Sequence, residues 1–265
     1  MYLASRSPRR RDLLRSIGVD FETVPPDYDE AEMGMELPAE QVQRHSRGKA
    51  WSVLPWLKPL PAGKPVIGVD TMVVIQGRAA GKAASTDEAM ALIGQLAGRT
   101  HLVYSGLTVL WSDGGEDQPL EMTDHAVTEV RFAPIPEAEI RKYVATEEWR
   151  GKAGAYAIQG RAAAFVEEIR GDYTNIVGLP LPLLVRMLRQ IGCWPPPQLA
   201  LSGFLFGSLT GIVIKYRAPL RKNKISFLIK SDGYQGVSAA PACARVFLTS
   251  SVAPERLTGS GRLKT

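Results

Sequence analysis

The sequence predicts a mixed-sheet α/β domain over residues 1–192, followed by an extension over residues 193–265. Three observations carry this reading. Val66-Ile67-Gly68-Val69-Asp70-Thr71-Met72-Val73-Val74-Ile75 is an almost unbroken apolar run, the pattern of a strand covered on both faces. Ser85 to Leu96 reads as an amphipathic helix, with Ser85 and Glu88 spaced as a capping box and Ala89, Leu92, Ile93 and Leu96 on one face. Helical and strand patterns interleave along the first 192 residues without strict alternation, which favours a mixed sheet over a purely parallel one.

Taken in order, Leu3-Ala4 closes a short strand that runs into a helix. Ser7 is placed to cap it, Pro8 fits its first position, and Leu13, Leu14 and Ile17 make its apolar face before Gly18. Phe21-Glu22-Thr23-Val24 reads as a strand, and an acidic loop with Asp27, Asp29, Glu30 and Glu32 follows. Pro38 to about Leu54 reads as a helix that buries Val42, Ala50 and Val53 and carries Lys49 near its end; Pro55 to Pro65 is a connector. After the Val66 strand, Gln76-Gly77 turns the chain towards Gly81-Lys82. His101–Trp111 and Leu120–Phe132 read as two strands joined by the turn Ser112-Asp113-Gly114-Gly115. Pro136–Thr146 is a short helix, Gly151–Gly160 a glycine-rich turn entering a strand, Phe165–Ile169 a strand and Pro182–Ile191 a last amphipathic helix.

The net charge of +5 is unevenly placed. Residues 1–192 hold 22 Lys and Arg against 25 Asp and Glu, whereas residues 193–265 hold 10 against 2. The basicity therefore belongs to the extension and says nothing about what the first 192 residues bind. In that extension, Leu199–Ile214 is mildly apolar but shorter than the roughly 20 residues needed to span a bilayer. Residues 215–265 show no sustained period and read as largely disordered. A salt-sensitive tether to nucleic acid or acidic lipid is the weaker reading of its basic residues; a solvated charge run is the plainer one, so no nucleic-acid partner and no membrane span are expected. Cys193 and Cys243 have no metal-type spacing, and arginine at position 6 precedes any apolar run, so the expected compartment is the cytoplasm.

The chemistry is concentrated in charged residues at loop and strand ends. Arg9, Arg10 and Arg11 lie in the first turn of the first helix, where the macrodipole disfavours cations. A bound polyanion removes that conflict, since free N–H groups, the Ser5 and Ser7 hydroxyls and arginine forks converge there. Asp70 interrupts the apolar strand, and a buried carboxylate must be paired, hold a metal or lie at a site opening. Arg9, Arg10, Lys49, Lys82 and Lys152 could neutralise a triphosphate; Asp70, with Glu30 as a second carboxylate, could hold a magnesium-type ion and activate water. Gly77–Lys82 lacks the spacing and the hydroxyl of a Walker loop, no G-x-G-x-x-G follows a strand, and His45, His101 and His125 read as structural rather than as members of a triad.

Five blocks in order, Leu3-Ala4-Ser5-x-Ser7-Pro8-Arg9-Arg10, Gly68-x-Asp70-Thr71, Gly98-Arg99-Thr100-His101, Lys152-Ala153-Gly154-Ala155-Tyr156-x-Ile158-Gln159-Gly160 and Val177-Gly178-Leu179-Pro180-Leu181, resemble the Maf family of nucleoside triphosphate pyrophosphatases. The resemblance implies an elongated mixed α/β fold like that of the inosine triphosphatases, a homodimer, and cleavage between the α- and β-phosphates to give a monophosphate and pyrophosphate. It implies a divalent cation, Mg2+ or Mn2+, with Asp70 as general base. Arg9, Thr71 and Gln159 stand where the family branch acting on dTTP and UTP has its specificity residues, so the implied role is house-cleaning of nucleotide pools. The alternative implied by the same family is a nucleotide-binding regulator of septum formation with little turnover. The chain departs from the pattern at Ala83, Gly151 and Ala157, which stand where proline, an acidic residue and glycine are usual.

Overall fold

The computed structural model describes residues 1–30, 36–57, 60–112 and 118–194. The expectations for Glu32, for the 113–115 part of the hairpin turn and for the extension beyond Trp194 lie outside these residues. Strand β1 (Tyr2–Ala4) leads into helix α1 (Pro8–Ser16), and β2 (Glu22–Thr23) precedes α2 (Pro38–Ser52). A 3₁₀ turn at Leu54–Trp56 follows, then β3 (Val66–Ile75), β4 (Arg78–Ala80), α3 (Thr86–Leu96), β5 (Thr100–Trp111) and β6 (Leu120–Phe132). Helix α4 (Glu137–Val144), a 3₁₀ turn at Arg161–Phe165, β7 (Val166–Arg170), α5 (Tyr173–Val177) and α6 (Leu181–Gln190) complete the domain.

All seven strands form one sheet in the order β2-β1-β3-β5-β6-β7, with β4 also paired to β3. It is mixed as expected: β1 runs parallel to β2 and β3, and every other pairing is antiparallel. The two faces follow the strand alternation. Leu3, Ile67 and Val69 point into a large core shared with α1, α3, α4 and α6, whereas Tyr2, Ala4, Val66 and Leu110 join Ala50, Val53 and Leu54 beneath α2.

Gly68 and Gly106 decide how closely α2 lies on that second face. A Cβ on Gly68 would stand 2.1 Å from the Ser46 carbonyl oxygen, and one on Gly106 2.0 Å from that of Val42. The helix backbone therefore rests directly on β3 and β5. Asp70 pairs in register with Gly106 and shares the α2-facing side of β3 with Val66 and Gly68.

Three local readings differ from the structure. Residues 151–160 do not enter a strand: Gly151, Gly154 and Ala155 have φ of 67°, 68° and 56°, a chain of left-handed turns that delivers the 3₁₀ turn instead. Ser7 takes the extended N-cap conformation, yet its hydroxyl makes no cap bond. Ser85 does cap α3 by accepting the Glu88 N–H, but Glu88 in turn receives the N–H of Ala84 rather than that of Ser85. Beyond the predicted boundary at 192, Cys193 and Trp194 still pack on the large core, and the Cys193 N–H reaches the Leu188 carbonyl at 2.8 Å.

The core also carries one titratable device. His101 is 1% exposed, bonded through Nε2 to the Tyr156 hydroxyl at 2.9 Å and edge-on to Phe132 and Tyr156. Burial lowers its pKa to about 4. Unfolded chains with a histidine near 6.5 bind the extra proton first, so between pH 6.5 and about 4 stability falls as pH falls, by on the order of 3 kcal/mol in total from this group. Urea denaturation measured across that window is expected to follow this slope, and His101→Gln is expected to flatten it.

Candidate active site

A cleft of about 810 Å3 opens where α1, α2, β3 and the 150–154 turn meet. Its floor is laid by the first turn of α1. Ser5 is 3% exposed, and its hydroxyl oxygen accepts the Ser7 N–H at 3.1 Å and Arg10 Nη1 at 3.2 Å. Both lone pairs are then used and the O–H proton is left to donate. Pro8 has no N–H to offer, so Arg9 and Arg10 hold the open backbone donors of this helix start.

Arg10 does not fit the role of a free phosphate fork. Its Nε donates to the Gly178 carbonyl at 2.7 Å, Nη1 to Val69 O at 2.9 Å as well as to Ser5, and Nη2 to Thr71 Oγ1 at 3.1 Å. Four of its five N–H donors are spent on the protein. Arg10 is a bracket joining α1 to Ser5 just after β1, to β3 and to the C-cap of α5. Thr71 is held in the same network, with its hydroxyl 2.9 Å from Ser105 Oγ.

The close seat of α2 on β3 brings Lys49 to Asp70. The two residues are 7% and 8% exposed, and Nζ lies 2.6 Å from Asp70 Oδ1. The same ammonium is 2.7 Å from Glu30 Oε1, and Glu30 Oε2 is 3.5 Å from Lys82 Nζ. One line of alternating charge thus runs Asp70–Lys49–Glu30–Lys82 along the cleft. Burial alone raises the Glu30 pKa; the Lys49 hydrogen bond and charge, with Lys82, outweigh it and hold the group at about 2.

On the opposite wall, Lys82 and Ala153 form an isolated antiparallel bridge, and the Gly154 N–H reaches Ala80 O at 2.9 Å. This ties the β3–β4 hairpin to the 150–154 turn and sets Lys82 and Lys152 on one side of the cleft. Arg9, Ser7 and Lys152 line it too. Arg9 makes no ion pair among the described residues. Burial lowers its pKa, with Tyr143 opposing, while burial and then the neighbouring Arg9 lower that of Lys152. Two half-buried cations, one of which depresses the other, are a site for an anion.

Of the residues singled out in the sequence, Ser5, Ser7, Arg9, Arg10, Glu30, Lys49, Asp70, Thr71, Lys82 and Lys152 line this one cleft. Gln159 does not. The turn closed by the Gly160 N–H on the Ala157 carbonyl leaves it exposed and outside the lining. Conversely, His45, read as structural, lines the cleft, and so do Gln41 and Tyr28. Gln41, His45 and Lys49 are spaced i, i+4, i+8 on α2, a polar stripe at helical spacing that was open to view in the sequence.

Among the described residues no group of three or more His, Cys, Asp or Glu side chains is placed to hold a metal by itself, and no helix is long and apolar enough to cross a membrane. The profile of the family described as Maf-like protein matches residues 1–191. The dTTP/UTP pyrophosphatase of Pelotomaculum thermopropionicum is 46% identical over 190 residues, covering 72% of this chain and 95% of that relative. Those of Symbiobacterium thermophilum and Syntrophus aciditrophicus are 44% and 43% identical over 192 residues each, covering 72% of this chain and 94% and 90% of their own lengths. Among solved structures, the Staphylococcus aureus Ham1 protein aligns with a TM-score of 0.33 at 17% identity, over 50% of this chain and 71% of that one.

Proposed function

We propose, from the premise that the chain belongs to the Maf family, that it is a pyrophosphatase cleaving dTTP and UTP to the monophosphate and pyrophosphate. The observation that carries this reading is the line Asp70–Lys49–Glu30–Lys82 beside Arg9 and Lys152, which make no ion pair among the described residues. In the reaction, water attacks phosphorus, the phosphoanhydride bond between the α- and β-phosphates breaks, and pyrophosphate leaves with the electron pair. Asp70 is the group assigned to take the proton from that water. Lys82, Lys152, Arg9 and the donors of Ser5 and Ser7 surround the phosphate chain and offset its charge, while Arg10 holds this arrangement through Gly178, Val69 and Thr71. Arg9, Thr71 and Gln159 are the residues assigned to base selection; Arg9 and Thr71 line the cleft and Gln159 lies in an exposed turn outside its lining.

The residues present fit a divalent cation of the Mg2+ or Mn2+ type. Two carboxylates from separate elements, Glu30 and Asp70, converge on one cation, the Lys49 ammonium, at 2.7 and 2.6 Å. Such ions are commonly held by one or two carboxylates completed by substrate phosphates, which is consistent with a site that the protein does not close alone. When bound, the ion supplies charge neutralisation on the phosphates and a lower pKa for the attacking water. The test is pyrophosphate release by the purified full chain across a nucleotide panel with and without Mg2+ or Mn2+. The expected result is metal-dependent release with kcat/KM higher for dTTP and UTP than for ATP, GTP or 7-methyl-GTP. Equal or faster release from GTP overturns the substrate assignment, and no release from any triphosphate overturns the enzyme.

A further inference from the structure

The wall of the cleft made by α2 carries a side chain whose hydrogen-bonding state follows from its neighbours. His45 lies one turn before Lys49, is 4% exposed and faces the cleft. Its ring meets Tyr28 edge-on, with centroids 5.7 Å apart, and its Nδ1 is 3.2 Å from the Tyr28 hydroxyl. Gly48 makes room for this contact, since a Cβ there would stand 2.1 Å from the tyrosine ring. Arg44 Nη1 donates to the same hydroxyl oxygen at 3.2 Å, and Arg44 is itself forked onto Glu36, with Nε 2.8 Å from Oε1 and Nη2 2.8 Å from Oε2.

The direction of this chain is fixed at one end. A guanidinium only donates, so the Tyr28 oxygen receives a hydrogen bond from Arg44, and the arrangement that uses this hydroxyl as donor and acceptor together sends its own proton to His45 Nδ1. Nδ1 is then an acceptor, and a neutral ring carries its proton on Nε2. Burial lowers the imidazole pKa; Asp70 and Glu30 oppose this, and Arg44 and Lys49 add to it, with a net shift below the ordinary value. With Nδ1 accepting from Tyr28, the Nε2–H of the neutral ring has no acceptor among the described residues.

We propose that His45 binds substrate by donating Nε2–H to a phosphate oxygen, in a tautomer set by the Glu36–Arg44–Tyr28 chain. The proposal rests on the pyrophosphatase reading of the cleft. Phosphate is favoured over a base edge because His45 stands one helical turn from Lys49 in a cleft also lined by Arg9, Lys82 and Lys152. Phosphate oxygens only accept, whereas a base edge pairs donors with acceptors. A neutral donor also adds a bond without desolvating a further charge.

Side-chain nitrogen NMR of the full chain, with labelled histidine and a His45→Gln sample to assign the signals, reads the tautomer directly. The expected spectrum has the proton on Nε2, mixes tautomers in Tyr28→Phe, and shows the Nε2–H signal moving on titration with inorganic triphosphate. In steady state, His45→Leu is expected to raise KM for UTP roughly tenfold or more with a smaller change in kcat. His45→Gln, whose amide keeps a donor, is expected to recover most of that loss. A proton on Nδ1, no movement with triphosphate, or an unchanged KM in His45→Leu overturns the proposal. Should the leucine variant fail to fold, the NMR result on the unmodified chain decides. If no nucleotide is hydrolysed, the enzyme reading falls by itself and the triphosphate titration still decides the role of His45.

Discussion

Asp70→Asn is expected to lower the rate of pyrophosphate release by about 10²-fold or more while leaving the fold in place. The amide matches the carboxylate in size and can still accept a hydrogen bond from Lys49 Nζ, now 2.6 Å from Oδ1. It cannot take a proton from water, and it is a poor ligand for a hard cation. Nucleotide affinity, carried by cations on the other wall, should change little. Measuring kcat and nucleotide binding separately checks this: near-normal turnover removes Asp70 from the role of base, and lost binding with normal folding reassigns it to substrate attachment.

Lys49→Met is the second large effect, and it falls on stability as well as rate. The methionine fills much of the same volume, but Asp70 is left on the α2-facing side of β3 without its counter-charge, and Glu30 loses its nearest cation. Removing one partner of a buried pair costs on the order of 3–5 kcal/mol, because the remaining charge is stranded. The urea midpoint should drop accordingly. In the double variant with Asp70→Asn the loss should be clearly smaller than the sum, since the buried Asp70 charge is then gone and only the more exposed Glu30 still faces the methionine. An additive result would mean that the two residues do not depend on each other.

The sequence is most informative where one strand or helix is self-sufficient. The Val66–Ile75 strand has the bounds read from its apolar run, and the Ser85 cap and the pair of long strands around residue 112 follow from local chemistry alone. What escapes is whatever depends on distant partners. Strand β4 is three residues long, and α5 has five, too short for a periodic signal. The arginines at the start of α1 look alike in the sequence. Only the carbonyls of Val69 and Gly178 and the Thr71 hydroxyl separate Arg10, the bracket, from Arg9, the open cation. His45 has no motif around it in the sequence, and its partner Tyr28 lies 17 residues away on another segment. At Gln159 a motif position is legible in the sequence, whereas the direction in which its turn points is not.

The bond from Arg10 to the carbonyl of Gly178 spans 168 residues, and it bears on the order in which the protein matures. During synthesis the amino-terminal strand, the carboxylates and the lysine all emerge well before their clamp. Until residue 178 has left the ribosome, the Arg10 guanidinium lacks one of its fixed acceptors, and the first helix has no tie to the fifth. Closing so long a loop carries an entropic cost that local pairing does not. Contacts of this sequence separation tend to form late in folding. A nascent chain would thus hold the reactive groups in an unfinished cleft, and competence for catalysis would arrive in a single late event rather than grow with chain length.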